Sequence, residues 1–220
     1  MPKTIGVDFG TAKTVVATIQ GGKPRVVVNA EGSPLTPAVV TRTAEGQWLV
    51  GDPAKKRAVL DPSRTICSVK RFLGRRYTEV SEDAALVSYR LARGPQETVR
   101  IAVDDHLYAP EEIAGRLLRT LVDDASAALG APVEAAVIAV PSLFTPNQRQ
   151  ALLDASAIAG LRGVQLLHEP TAVAIAYSAA RQRSATLLIF DLGSGGCQVS
   201  LVDVGGGVCE VRASTGTVSL

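Results

Sequence analysis

Two short stretches of this 220-residue chain place an aspartate ahead of a small, permissive turn: Asp8-Phe9-Gly10-Thr11 and Asp191-Leu192-Gly193-Ser194. A tight glycine-containing turn between strands exposes several backbone N–H groups with little side chain in the way. Such concave rows of amides bind anions, phosphate above all. Gly10 in the first copy, and Gly193, Gly195 and Gly196 in the second, supply the flexible backbone. A carboxylate beside phosphate repels it unless a cation lies between, so Asp8 and Asp191 point to Mg²⁺ held through water. Two such turns facing each other would clamp one polyphosphate from both sides. A lone turn of this kind is most often only a turn; its recurrence in matched apolar, β-branched surroundings favours the clip. Other nucleotide signatures are missing: no GxxxxGK[ST] occurs, and Gly193 to Gln198 fails GxGxxG at its last position.

The elements that must position these turns are readable from periodicity and punctuation. "KTIGVDFG", "KTVVATIQ" and "KPRVVVNA" are β-rich runs, with Gly21-Gly22 as a hairpin turn between the last two. "GQWLVGDPAKKRAVL" predicts a strand leading into a helix, and Tyr77 to His106 a mixture of strand and loop. Pro110, Glu111 and Glu112 open a helix whose Ile113, Leu117, Leu121 and Ala125 share a face, and Gly130 stops it. "EAAVIAVP" reads as a buried strand. Thr145-Pro146-Asn147-Gln148 is a capping box with proline at the first helical position, and Gly160 ends that helix. "VQLL" is a short strand, Glu169-Pro170-Thr171 opens a helix through Ala180, and the remainder returns to hairpins. The plan is α/β, with a β-meander at each end and one Asp-containing turn in each meander. This predicts an internal duplication of a supersecondary unit within one compact body.

Composition narrows the class. A formal net charge of +2 gives no strong pull toward nucleic acid or an anionic membrane. Lys55, Lys56, Arg57, Arg64, Lys70, Arg71, Arg75 and Arg76 form a basic stretch without an aromatic stacking platform, so it reads mostly as solvated surface. No apolar run approaches a membrane span, and Met-Pro-Lys-Thr-Ile-Gly has no signal-peptide apolar region. Cys67, Cys197 and Cys209 cannot all pair within one chain and match no zinc spacing. The expectation is a cytoplasmic protein with no nucleic-acid and no membrane partner.

Taken together, "IGVDFGT", "NAEGSPLTPAVV", "VKRFLGRR", "AVIAVPSLFTPNQRQALLDASAIAGL", "LLHEPTAVAIAY" and "LIFDLGSGG" resemble one family across the whole chain. That family is the seventy-kilodalton heat-shock chaperones of the DnaK type, in their nucleotide-binding domain, within the actin-like ATPases. Sugar kinases, actins and bacterial filament proteins share the paired turns but would not show "VKRFLGRR" with "HEPTAVAIAY". The resemblance implies an actin-like ATPase (ribonuclease H-like) fold with duplicated β-meanders. Residues 1–185 would form lobe I, with a peripheral subdomain inserted at about 36–109, and 186–220 the first meander of a truncated lobe II. It implies ATP or ADP with Mg as cofactors. Asp8 and Asp191 would surround the magnesium; Gly10, Thr11 and Ala12 would hold phosphates from one side, and Gly193, Ser194 and Gly195 from the other. Lys70 would be the catalytic lysine, with Thr11 and Glu169 beside it in the catalytic set. On its residue type alone, Glu169 could equally be a helix N-terminal acid placed for the dipole. Pro141 and Arg149 would relay nucleotide state, or else be a strand terminator and a surface helix residue.

The chain also departs from the family pattern. Gly196 stands where the family has a hydroxyl, Gln198 where it has an acid, and Ala12 where it has a threonine. Loss of one charged catalytic group costs on the order of a hundredfold in rate. The rest of lobe II, with most adenosine contacts, and the peptide-binding domain would follow beyond this sequence, so the last hairpin should show an open edge and an uncovered face. The leading expectation is an ATP-binding, ATP-hydrolysing chaperone domain acting in protein folding and the stress response. Its co-chaperone and client contacts would lie in parts outside this chain. The alternatives are a nucleotide-sensing interaction module, an actin-like filament protein, or a fragment with little turnover.

Overall fold

Three β-branched runs at the start of the chain form an antiparallel meander: β1 (Lys3–Phe9), β2 (Lys13–Gln20) and β3 (Lys23–Val27). Gly21 and Gly22 turn β2 into β3 with both φ angles positive, the geometry that matches strand twist in a two-residue hairpin. The structure is a computed structural model that describes residues 3–181 and 183–218; the strand expected at Ser219-Leu220 lies outside the described residues.

A two-residue strand, β4 (Thr36–Pro37), pairs with the start of β2. The peripheral elements follow. β5 (Val39–Arg42), β6 (Trp48–Val50), α1 (Asp52–Arg57) and β7 (Thr65–Cys67) make a small sheet in the order β6-β5-β7 with its helix. The stretch from Tyr77 to His106 holds more helix than its sequence suggests. A short α2 (Ser81–Ala84) precedes β8 (Arg90–Arg93) and β9 (Val99–Val103), and β10 (His106–Tyr108) completes their sheet.

The chain then alternates: α3 (Pro110–Leu129), β11 (Val133–Val140), α4 (Pro146–Ile158), β12 (Gly163–His168) and α5 (Glu169–Arg181). β11 pairs parallel to β1, and β12 parallel to β11, giving the order β12-β11-β1-β2-β3. The carboxyl ends of three parallel strands therefore lie side by side, and they carry Asp8, Pro141 and Glu169. In open α/β sheets that edge is where ligands bind. The second meander, β13 (Ala185–Leu192), β14 (Cys197–Gly205) and β15 (Val208–Thr217), is antiparallel throughout and forms its own sheet.

Two apolar clusters hold these layers. The larger joins Ile5, Val7 and Phe9 of β1 to Leu117, Leu118 and Leu121 of α3, and runs into the peripheral part through Val40, Ile66 and Phe72. The smaller consists of Ala174, Ile189, Val202 and Val204, with Tyr177 and Leu187 packed against it. The other face of β13 is bare: Leu188, Phe190 and Leu192 are 74%, 65% and 65% exposed. Among the described residues no helix is long and apolar enough to cross a membrane, and Cys67, Cys197 and Cys209 are free thiols.

Candidate functional site

The first turn leaves β1 one residue after Asp8, whose backbone pairs with Ala139 on one side and Val15 on the other. The second leaves β13 after Asp191 and is closed by the Gly193 N–H donating to the Gly196 carbonyl at 2.9 Å. The two turns meet. A Cβ on Gly195 would fall 2.2 Å from Thr11 Oγ1, so the second turn accepts the Thr11 side chain only because it carries none of its own. Gly196 is pressed in the same way, since a Cβ there would lie 2.5 Å from the Thr217 carbonyl oxygen. The end of β15 leaves no room for a side chain at this position.

Between the turns lies a cavity of about 810 Å³, within the range of small-molecule and cofactor sites. Asp8, Gly10, Thr11, Ala12, Lys70, Pro141, Glu169, Asp191, Gly193, Ser194 and Gly195 all line it. Of the residues singled out from sequence, Arg149 alone stands behind the wall. Its guanidinium donates to the carbonyls of Phe144 (3.1 Å) and Ser142 (3.5 Å), bracing the loop that follows Pro141. It is thus tied to the Pro141 loop rather than being a free surface residue.

Lys70 reaches the cavity because Ser68 takes a left-handed conformation and the following helical turn faces inward. Its ammonium donates to Glu169 Oε1 at 3.0 Å and sits 5.5 Å from the centroid of the Phe144 ring. Burial pushes the Glu169 carboxyl above its ordinary value; Lys70 pulls it back, and Asp191 and Asp8 add to the rise. Asp8 behaves alike: burial raises its carboxyl, Lys70 opposes, and Asp191 contributes. Asp8 is open to the cleft but surrounded by protein on its other sides, which reconciles its exposed face with poor hydration.

These carboxylates fit magnesium in one particular manner. Among the described residues no group of three or more histidine, cysteine or acidic side chains is arranged to hold a metal directly. Asp8 and Asp191, near enough to influence each other across the cleft, suit a hard cation that keeps most of its water. Asp8 and Asp191 would hold it, with Glu169 at the edge of its hydration shell.

The sequence missed three features. Arg71, read as solvated, is buried: it donates to Asp83 Oδ1 at 2.9 Å and to the Ser194 carbonyl of the second turn at 3.0 Å. Arg75 completes the pair at Asp83 Oδ2, 2.5 Å away, and also lines the cavity. A buried carboxylate with two guanidiniums is the physical reason this part of the basic stretch turns inward. Elsewhere in that stretch Lys55 and Lys56 are exposed, as expected. The third feature is the contact made by Gln198, which the sequence marks only as standing in place of an acid: it is buried, lines the cavity and is bonded across to the Pro141 loop.

Comparison with known proteins shows the family. A family model described as Hsp70 protein matches residues 4–220. The chaperone protein DnaK of Thermus thermophilus is 46% identical over 220 residues, covering all of this chain and 36% of that protein. The chaperone protein dnaK3 of Thermosynechococcus vestitus is 47% identical over 222 residues, covering all of this chain and 33% of its own length. The DnaK of Deinococcus proteolyticus is 45% identical, with 35% of its length covered. The chain spans about a third of the length of the curated relatives it matches.

Proposed function

This chain belongs to the Hsp70 family, and from that premise we propose that its cleft binds and hydrolyses ATP in the nucleotide-binding part of a DnaK-type chaperone. The observation that carries this reading is convergence. Two Asp-led turns from opposite ends of the sequence and the Lys70–Glu169 pair line one cavity of nucleotide size. Family membership favours this reading over a nucleotide-sensing module, a filament protein or an inert fragment.

The architecture is read as an actin-like ATPase fold with the meanders β1–β3 and β13–β15 as copies of one unit. Their shared antiparallel order supports this. We take residues 1–185 as lobe I with its insertion at about 36–109, and 186–220 as the opening meander of lobe II. The separate apolar clusters support two bodies, although α5 lends Ala174 to the second.

In the proposed mechanism, backbone amides of Gly10, Thr11 and Ala12 hold phosphate oxygens from one side, and those of Gly193, Ser194 and Gly195 from the other. Magnesium, when bound, supplies charge neutralisation to the phosphate oxygens. Asp8 and Asp191 would hold it, their carboxylates accepting from its water. Lys70 places its ammonium at the terminal phosphate, where negative charge gathers during transfer, and Glu169 fixes that ammonium's direction. Thr11, lodged against Gly195, keeps the two turns at one spacing. Pro141 and Arg149 carry the state of the cleft outward. Clients, co-chaperones, a cytoplasmic location and a part in the stress response are proposed for the longer protein of this family type.

Calorimetric titration of the chain with ADP and ATP tests the reading. Binding should need Mg²⁺ and disappear with excess chelator. Lys70→Ala should keep ADP affinity within about threefold while slowing single-turnover hydrolysis by about a hundredfold or more. A folded chain that binds neither nucleotide sinks the proposal.

A further inference from the structure

We infer that Gln198 is a positioning residue, a strut between the second meander and the Pro141 loop that sets where Lys70 stands. The inference deepens the nucleotide-site reading and rests on it for its functional consequence.

Gln198 lies on β14, two residues beyond Gly196, and is 6% exposed. Its amide oxygen accepts from the Ser142 backbone N–H at 2.9 Å, across 56 residues of sequence. Its amide nitrogen donates to Ser200 Oγ at 3.3 Å, and that hydroxyl is joined to Ser214 Oγ on β15 at 2.9 Å. A side chain satisfied at both ends and buried has one orientation open to it, because reversing the amide would set donor against donor at Ser142.

The far end of the strut is a loop held by its backbone. The Ser142 hydroxyl is buried without a partner, so its side chain does not choose the loop's shape. The choice is made by Gln198 at the Ser142 N–H, by Arg149 at the carbonyls of Ser142 and Phe144, and by the turn in which Phe144 N–H donates to the Pro141 carbonyl at 3.1 Å. Phe144 then presents its ring to the Lys70 ammonium, whose other neighbour is Glu169. A continuous path thus runs from Ser214 on β15, through Gln198 and the loop, to Lys70. Movement of the second phosphate turn, which shares β14 with Gln198, is passed to the lysine through one hydrogen bond. An uncharged amide does this without adding a fourth carboxylate to a cleft where Asp191 already adds to the raised carboxyls of Asp8 and Glu169.

The test uses the nucleotide-free chain and two readings that a purely local packing role would not move together. Gln198→Leu keeps much of the volume and removes both hydrogen bonds. Native-state hydrogen exchange at the Ser142 amide should accelerate by about tenfold, the scale of one lost hydrogen bond. Acylation of Lys70 by acetic anhydride, followed by mass spectrometry, should become faster in the same variant. Gln198→Glu, which keeps an acceptor for the Ser142 N–H but adds a carboxylate to the cleft, should restore the Ser142 protection toward the parent. Unchanged Lys70 labelling in a folded Gln198→Leu chain overturns the inference, whether or not Ser142 exchange changes. If that variant does not fold, Gln198→Asn, too short by one methylene to span the gap, decides by the same two readings. Calorimetry with Mg-ADP on the parent stands apart: failure to bind removes the nucleotide reading and leaves the strut as measured.

Discussion

At the scale of single residues, the cleft gathers Asp8, Glu169 and Asp191 around one buried ammonium, that of Lys70. Burial raises the carboxyls of Asp8 and Glu169, so the folded chain holds their protons at pH values where the unfolded chain has released them. The sign follows. Below the ordinary carboxylate range both states are protonated and these groups contribute nothing; as pH rises from that range through the raised native values, stability falls. Asp8→Asn removes one such penalty without breaking the Lys70–Glu169 pair. The nucleotide-free variant should melt about 1–3 °C higher at neutral pH, the effect of one partly solvated carboxylate in a chain of this size. Its pH slope should be shallower and its affinity for Mg-nucleotide weaker. Thermal denaturation between about pH 4 and pH 8 checks this; a lower melting point or an unchanged slope would show that the cleft does not strain Asp8. Such opposition between stability and function is the usual mark of a binding site built before its ligand arrives.

Elements are held in place by a few close approaches, and one sits under Lys70. Gly74 ends the inward turn that carries Lys70 and Arg71, at φ +62°, and a Cβ there would fall 2.4 Å from the Asn147 carbonyl oxygen in the first turn of α4. Gly74→Ala combines left-handed strain with a backbone collision that no rotamer relieves. It should cost about 2–4 kcal/mol, or roughly 4–16 °C in melting temperature. Chemical denaturation gives the free energy directly, and a loss under about 1 kcal/mol would mean that α4 yields easily. Local features of this kind were legible in the sequence. The Thr145 cap accepts from Gln148 N–H at 3.3 Å while Gln148 Oε1 accepts from Thr145 N–H at 3.0 Å, as the four-residue pattern predicts. Gly130 ends α3 in the left-handed conformation, and the paired Asp-led turns face one cavity. What could not be read were contacts without local grammar. Arg71 finds the Ser194 carbonyl 123 residues away, and Gln198 finds Ser142 across 56. Burial of a charge or an amide there depends on which strands become neighbours, and no periodicity announces it.

For the whole molecule, the uneven division of apolar packing has a dynamic consequence. The cluster around β1, β11 and α3 is large and continuous with the peripheral sheets, whereas among the described residues the second meander rests on a small cluster whose fully buried members are Ala174, Ile189, Val202 and Val204. Three large apolar side chains on β13 face outward and add nothing to the fold as it stands. Besides the packing of α5 on it and of Val218 on the larger cluster, the described residues tie the meander to the first body through Thr11 against Gly195, Arg71 on the Ser194 carbonyl, and Gln198 on Ser142. Regions with few buried contacts open below the free energy of global unfolding. Amides of β14 are therefore expected to exchange at least about tenfold faster than those of β11 in the nucleotide-free chain, a gap of about 1.4 kcal/mol. A ligand seated between both turns binds only the closed arrangement and stabilises it by mass action. Saturation with Mg-ADP should slow exchange in β14 more than in β11 and narrow that gap. Equal protection of the two strands without nucleotide would show that these ties suffice to make one cooperative unit. Equal slowing with nucleotide would locate the ligand's grip in the first body alone.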